Sequence, residues 1–292
     1  MLTTGLIVYC GLKLSGLAGT AIGAGLAVLS PPMSPETLCG PINTMEDVET
    51  YDGGLGVSVE YVRSNEVSTV RFQWIDEVSI KERGYSPGSV GGIGWCTGTL
   101  IAPNKVLTAG HCFDAWADST PFRFDSSGAV VTPKREELAQ LQVINLNFQL
   151  DAATHTVREP RSFAVTKILE APTGTGALDY AIVEIAPDAS GQLPGMIAAP
   201  AEMDIREPSV GERIAAFQHP NGEPKKVEAG TVLNYDQPIL YYSDLDTSGG
   251  SSGAGIFDDD GQLIGMHVSG FCEIHANEGL SLNAIAVASN EF

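Results

Sequence analysis

Three stretches of this 292-residue chain carry side chains able to do chemistry together. Thr247 to Gly261 reads TSGGSSGAGIFDDDG, with three serines set among glycines ahead of an apolar pair and an acidic turn. Trp95 to Cys112 reads WCTGTLIAPNKVLTAGHC and ends an apolar run at His111. Leu178 to Ile185 reads LDYAIVEI, an apolar run opened by Asp179. A serine hydroxyl becomes a useful nucleophile when a base within hydrogen-bond reach takes its proton, and histidine is the commonest base. The competing reading of the serine stretch is a flexible linker, but linkers do not sit between apolar strands near a chain end. A further frame, Gly249-x-Ser251-x-Gly253, fits the sharp strand-to-helix elbow that exposes a nucleophile. The chain continues from it as GAGIFDDDGQLIG, a strand, a turn and a strand with no helix, so the elbow does not apply.

The elements that must position these residues read as strands. Runs such as VSTVRFQWI, KVLTAG, YAIVEI, RIAAFQ, GAGIFD and QLIGMHVSG are rich in Val, Ile, Phe and Tyr and bounded by Gly, Pro, Asp or Asn. NAIAVAS near the end reads as one more strand, and only Pro133 to Gln142 reads as a helical turn. Many short strands with turn signals between them, and no repeat of fixed period, predict an all-β sandwich or a pair of barrels. Asp260-Gly261 supplies hairpin-turn chemistry, and the acidic triplet before it lacks the other ligand positions of a calcium loop.

Composition narrows the function. A hydrophobic fraction of 43% and a charged fraction of 18% belong to a globular chain. With 16 Lys and Arg against 36 Asp and Glu, the formal charge of −20 repels phosphate backbones and anionic membranes. No nucleic-acid partner is expected. Residues 1–30 carry little charge, and the uncharged run Leu14 to Leu29 suits a signal-peptide core better than a membrane span. An export signal is expected there, with an uncleaved membrane anchor as the alternative. Residues 31–66 read as an acidic linker or pro-segment, and 67–292 as the folded domain. If Cys10 leaves with the signal, Cys39, Cys96, Cys112 and Cys272 remain, an even number that suits two disulfides in an oxidising compartment. No C-x-x-C or H-x-x-x-H occurs, so no metal is expected. The protein is therefore expected to be secreted or periplasmic.

Cys96-x-Gly98-Thr99-Leu100-Ile101, followed by Val106-Leu107-Thr108-Ala109-Gly110-His111-Cys112, resembles the histidine motif of trypsin-like serine proteases of the chymotrypsin fold. The resemblance runs from about Val67 to Ser289. It implies two six-stranded antiparallel β-barrels with the active site between them, and no cofactor. It pairs Cys96 with Cys112, a loop closure of about 3 kcal/mol on the chain-entropy model. Asp179 corresponds to the carboxylate that orients His111, and the order His, Asp, Ser is that of the family. The family's Gly-x-Ser-Gly frame falls on Gly250-Ser251-Ser252-Gly253, which makes Ser252 the nucleophile and the Gly250 and Ser252 amides the oxyanion hole. From His111 to Asp179 is 68 positions, long for the family. The excess reads as an insertion at Asp114 to Arg161, with Asp151 as the reserve carboxylate.

Leu263 to Gly270 resembles the strand that lines the primary specificity pocket, where the Val268 and Gly270 backbone pairs with substrate. A narrower resemblance to bacterial glutamyl endopeptidases implies that Thr247 and His267 bind a substrate carboxylate. Phe217 to Lys226 resembles the H-P-x-G segment of bacterial members, with His219 a structural turn residue; His155 and His275 read as surface. Three departures stand out. No I-V-G-G-like start precedes the histidine motif, and Ser251 stands where animal trypsins have an aspartate, so activation by a new N-terminus is not expected. Gly255 replaces a usual proline, and the family's C-terminal helix is expected to be missing. Cys39 and Cys272 are left to pair with each other. The implied activity is endoproteolysis of protein or peptide substrates. The rivals are an inactive protease fold used as a binding module, and an esterase with the same triad.

Overall fold

The computed structural model describes residues 38–292 apart from 41, 117, 118, 271 and 273–275. The expected export or anchor segment 1–30, residues 31–37 of the acidic segment, and His275 lie outside the described residues. The β-branched and aromatic runs form strands as expected. After β1 (Glu46–Asp47) and helix α1 (Val59–Asn65) come β2 (Thr69–Trp74), helix α2 (Glu77–Glu82), β3 (Gly94–Ala102) and β4 (Lys105–Thr108). A small ribbon of β5 (Arg123–Phe124) and β6 (Val130–Val131) precedes helix α3 (Arg135–Ala139), β7 (Gln142–Leu146), β8 (Arg161–Glu170) and β9 (Ala181–Ile185). Strands β2-β3-β4-β9-β8-β7 close into a barrel, all neighbours antiparallel. Closure leaves no free edge and encloses Val70, Phe72, Leu100, Leu107, Ile144 and Ile182, each with no exposed surface.

The second half runs β10 (Arg213–Gln218), β11 (Lys226–Thr231), β12 (Asn234–Asp236), β13 (Ile239–Tyr242), β14 (Gly255–Asp258), β15 (Leu263–Gly270), β16 (Asn277–Ser281) and helix α4 (Leu282–Ala288). These strands, with β1, form an eight-stranded sheet in the order β1-β11-β10-β14-β15-β16-β13-β12, which curls over Ile214, Leu240, Ile256 and Ile264. The architecture is the chymotrypsin-like one, with one barrel closed and the other half-open. Its β11 edge is not joined to β12. Instead β1 adds there, with Glu46 opposite Val227, so the residues ahead of β2 cover the edge.

Those residues are fastened to the second sheet. Cys39 is disulfide-bonded to Cys272. Asp246 accepts hydrogen bonds from Cys39 N–H at 2.7 Å and Thr44 N–H at 2.9 Å. Lys225, fully buried, donates to the Glu66 carboxylate at 2.6 Å.

Three expectations are corrected. Asp114 to Arg161 is not all insertion, because β7 is a barrel strand paired with β2 and β8; the β5–β6 ribbon and α3 lie outside the barrel strands. The C-terminal helix is present. NAIAVAS lies in α4, because Ser281 caps it by accepting from Ala284 N–H and because Leu282 and Ile285 bury one face. Helices α1 and α2 join α3, their first turns capped by Ser58 and Asp76. Among the described residues no helix is long and apolar enough to cross a membrane.

Candidate active site

The barrel register brings His111 to Asp179. Thr108, at the end of β4, lies opposite Ala181 on β9, so the chain just past β4 meets the chain just before β9. There Gly110–Phe113 turns as a short 3-10 helix that presents His111. Asp179 accepts from the His111 backbone N–H at 2.8 Å through Oδ1, and its Oδ2 meets His111 Nδ1 at 2.6 Å. Glycine is needed at 110, since a Cβ there would stand 2.9 Å from Asp179 Oδ1 and 3.0 Å from Tyr180 O. The Cys96–Cys112 disulfide ties the far side of the turn to β3, with Cα atoms 6.3 Å apart. Burial works against the Asp179 charge, but the hydrogen bonds and attraction of His111 outweigh it and hold the carboxyl below its ordinary 3.8. Asp151, by contrast, serves its own turn by accepting from Thr154 N–H and pairs with Arg158, so it is not the partner of His111.

Ser252 arrives from the other sheet, on the loop ahead of β14. Two backbone bonds seat that loop between the halves: Thr97 N–H on β3 donates to Ser252 O, and Gly253 N–H donates to His267 O on β15, both at 2.9 Å. His111 Nε2 then lies 2.7 Å from Ser252 Oγ. Ser251 faces elsewhere. Its hydroxyl accepts from Ser248 N–H at 3.1 Å within its own turn. The β15–β16 ladder slips between His267 and Ser269, and the Val268 carbonyl lies 3.5 Å from Ser252 Oγ.

The remaining expected residues sit around this loop. Gly250 takes φ 96° in the turn before Ser252, a conformation natural only to glycine. Thr247 is buried, and its hydroxyl has no hydrogen-bond partner among the described residues. His267 is fully buried on β15, its Nδ1 in contact with the Tyr242 hydroxyl. Burial, and then the nearby His111, push His267 down to about 3, so its ring is neutral at pH 7. Gly270 closes β15 opposite Asn277. His219 is buried in the turn after β10, and its ring contacts Glu223 O through Nδ1 at 3.0 Å. Cys96, His111 and Cys112 bring three ligand-type atoms within 4.8 Å, but the two sulfurs are bonded to each other and offer no thiolate to a metal.

A family model described as a trypsin-like peptidase domain matches residues 96–266, more than half of the chain. The chain belongs to the trypsin-like peptidase family. Among its relatives, exfoliative toxin A of Staphylococcus aureus is 27% identical over 178 residues, covering 59% of this chain and 55% of the toxin. A glutamyl endopeptidase of Staphylococcus aureus is 29% identical over 99 residues, 33% of this chain and 30% of that one. The chain thus spans about a third to just over half of the length of the curated relatives it matches. A solved structure of Glu endopeptidase in complex with MPD shares the fold, with a TM-score of 0.52 at 20% identity, covering 89% of this chain and 96% of that one.

Within this trypsin-like frame, sequence reading passed over three residues at the site: Thr97, Asn221 and Tyr242. Thr97 was visible only as the unspecified position of Cys96-x-Gly98. Asn221 lay in the H-P-x-G segment, and Tyr242 in an apolar strand run.

Proposed function

We propose that this chain is a serine endopeptidase of the trypsin-like family, acting through an acyl-enzyme. The observation that carries the reading is His111 in hydrogen-bond contact with Asp179 on one ring nitrogen and with Ser252 on the other. Ser252 Oγ attacks the peptide carbonyl as His111 Nε2 takes its proton. The tetrahedral oxyanion is stabilised by the Gly250 and Ser252 N–H groups, and His111 then protonates the leaving amine. Water repeats the cycle on the ester. Asp179, held ionised, keeps the His111 proton on Nδ1 and stabilises the imidazolium. The substrate backbone pairs with Val268 and Gly270 on β15. The catalytic domain is 67–292, with 38–66 fastened to it.

For primary specificity the proposed substrate has glutamate before the cut. Thr247 and His267 would donate to its carboxylate: one supplies a buried hydroxyl with no other partner among the described residues, the other a neutral imidazole. The partial likeness to a glutamyl endopeptidase supports the same choice. The net charge of −20 opposes it only at long range, where salt screens the field, whereas contact hydrogen bonds in a buried pocket are screened little. Two disulfides fit a site of action outside the cytoplasm, secreted or periplasmic, with 1–30 as export signal or outward-facing anchor. The test is hydrolysis of an internally quenched peptide library. Wild type and Ser251→Ala should both cleave, and Ser252→Ala should not. Equal cleavage by Ser252→Ala and wild type would remove the reading. Ester hydrolysis without any peptide cleavage would make the chain an esterase instead.

A further inference from the structure

A peptide group flanked by glycines can turn over at little steric cost, and Gly249–Gly250 is such a group. Its orientation matters, because the Gly250 N–H is one of the two proposed oxyanion donors. One contact is made to it directly and a second to the peptide that follows. Asn221 N–H donates to Gly249 O. In a trans peptide the C=O and N–H point in opposite directions, so this bond aims the Gly250 N–H away from Asn221. On the next peptide, Thr97 Oγ1 donates to Gly250 O at 2.7 Å and accepts from His219 N–H at 2.9 Å. One hydroxyl therefore joins β3 of the closed barrel, the turn after β10 and the serine loop. Both of its partners, Gly250 and His219, are buried.

The turn that supplies Asn221 is itself built for this. Asn221 takes φ 54°, and Gly222 N–H donates to His219 O at 3.0 Å. Arg71 on β2 donates to Gly222 O at 2.9 Å, so the turn is also tied to the barrel. A Cβ on Gly250 would lie 2.7 Å from His219 O, which shows how closely the two backbones pack.

We propose that Thr97 and Asn221 are positioning residues that hold the Gly249–Gly250 peptide in the orientation presenting Gly250 N–H to the oxyanion. The role rests on the peptidase reading above. Without the brace the peptide can reverse and turn the Gly249 carbonyl, a partial negative charge, toward the developing oxyanion. Such a reversal weakens transition-state binding and leaves ground-state substrate binding intact.

The deciding variant is Thr97→Val, which keeps the shape and removes the hydroxyl, with Thr97→Ser as the rescue. Losing a whole oxyanion donor costs roughly 100- to 1,000-fold in kcat, so losing its brace should cost about 10- to 100-fold. KM should stay within about twofold, affinity for a peptide boronic acid should fall with kcat, and Thr97→Ser should recover most of the loss. A kcat within about twofold of wild type, a loss confined to KM, or no rescue by serine would overturn the proposal. Crystal structures give a readout independent of turnover: Thr97→Val, or Thr97→Ala if the valine protein does not fold, should show the Gly249–Gly250 peptide reversed or mixed. An unchanged peptide counts against the brace. If wild type cleaves no peptide and takes no boronate, the peptidase reading fails, and the peptide orientation in these crystals still decides the brace.

Discussion

Asp179 grips His111 at two points, the backbone N–H at 2.8 Å and the ring Nδ1 at 2.6 Å. The double contact fixes both the position of the turn and the rotation of the ring. Asp179→Asn should keep one contact and present an amide to the other, favouring the tautomer with its proton on Nε2, where it cannot accept from Ser252. The expected loss in kcat is roughly ten-thousandfold with KM little changed, whereas Asp151→Asn should leave kcat unaltered. Steady-state kinetics on one peptide substrate checks both. Full activity in Asp179→Asn contradicts the assignment.

Glu228 on β11 makes stability depend on pH. It is buried, accepts from Thr44 Oγ1 at 2.9 Å and from Ala229 N–H at 3.1 Å, and lies near Asp246 and Glu46. Burial, together with those two carboxylates, pushes it up to about 7. The unfolded value is about 4.3, so the folded state holds the proton more tightly. Its contribution is then fully present below the unfolded value and is lost as pH rises toward 7. Wild type should lose melting temperature across this window, and Glu228→Gln should lose less. Identical pH slopes for the two proteins would remove Glu228 as the cause.

The proposed glutamate specificity rests on His267 and the hydroxyl behind it. Tyr242 Oη contacts His267 Nδ1 within the second sheet. If substrate glutamate is read there, His267→Ala should cut kcat/KM for glutamate substrates at least tenfold while sparing apolar ones, and Tyr242→Phe should move the same ratio less. Profiling with peptides that differ only at the residue before the cut measures this. Preferential cleavage after Lys, Arg or large apolar residues by wild type ends the glutamate reading and leaves the triad untouched.

Much of this site was legible in the chain because its residues are carried by local patterns. His111 ends an apolar strand beside a cysteine, and Ser252 sits in a glycine frame whose glycines the turn needs, Gly250 and Gly253 both having positive φ. Asp179 was legible from chain order, since a strand opened by aspartate is common, and the register of β4 on β9 was needed to bring it to His111. Thr97 and Asn221 were not legible: their contacts with the serine loop span 153 positions in one case and join a backbone amide to a backbone carbonyl in the other. Helix α4 was misread because Ile and Val suit strands by propensity, and a cap with a buried face overrode that preference. The half-open second sheet was hidden because its edge is covered by Glu46–Asp47, from a segment with no strand pattern.

The central claim is that Ser252, activated by His111, is the nucleophile. Intact-mass analysis after treatment with a fluorophosphonate, followed by peptide mapping, tests it most directly. One adduct per chain is expected, mapped to Ser252, kept in Ser251→Ala and lost in both Ser252→Ala and His111→Ala. An adduct on Ser251, or none on folded wild-type protein, would contradict it.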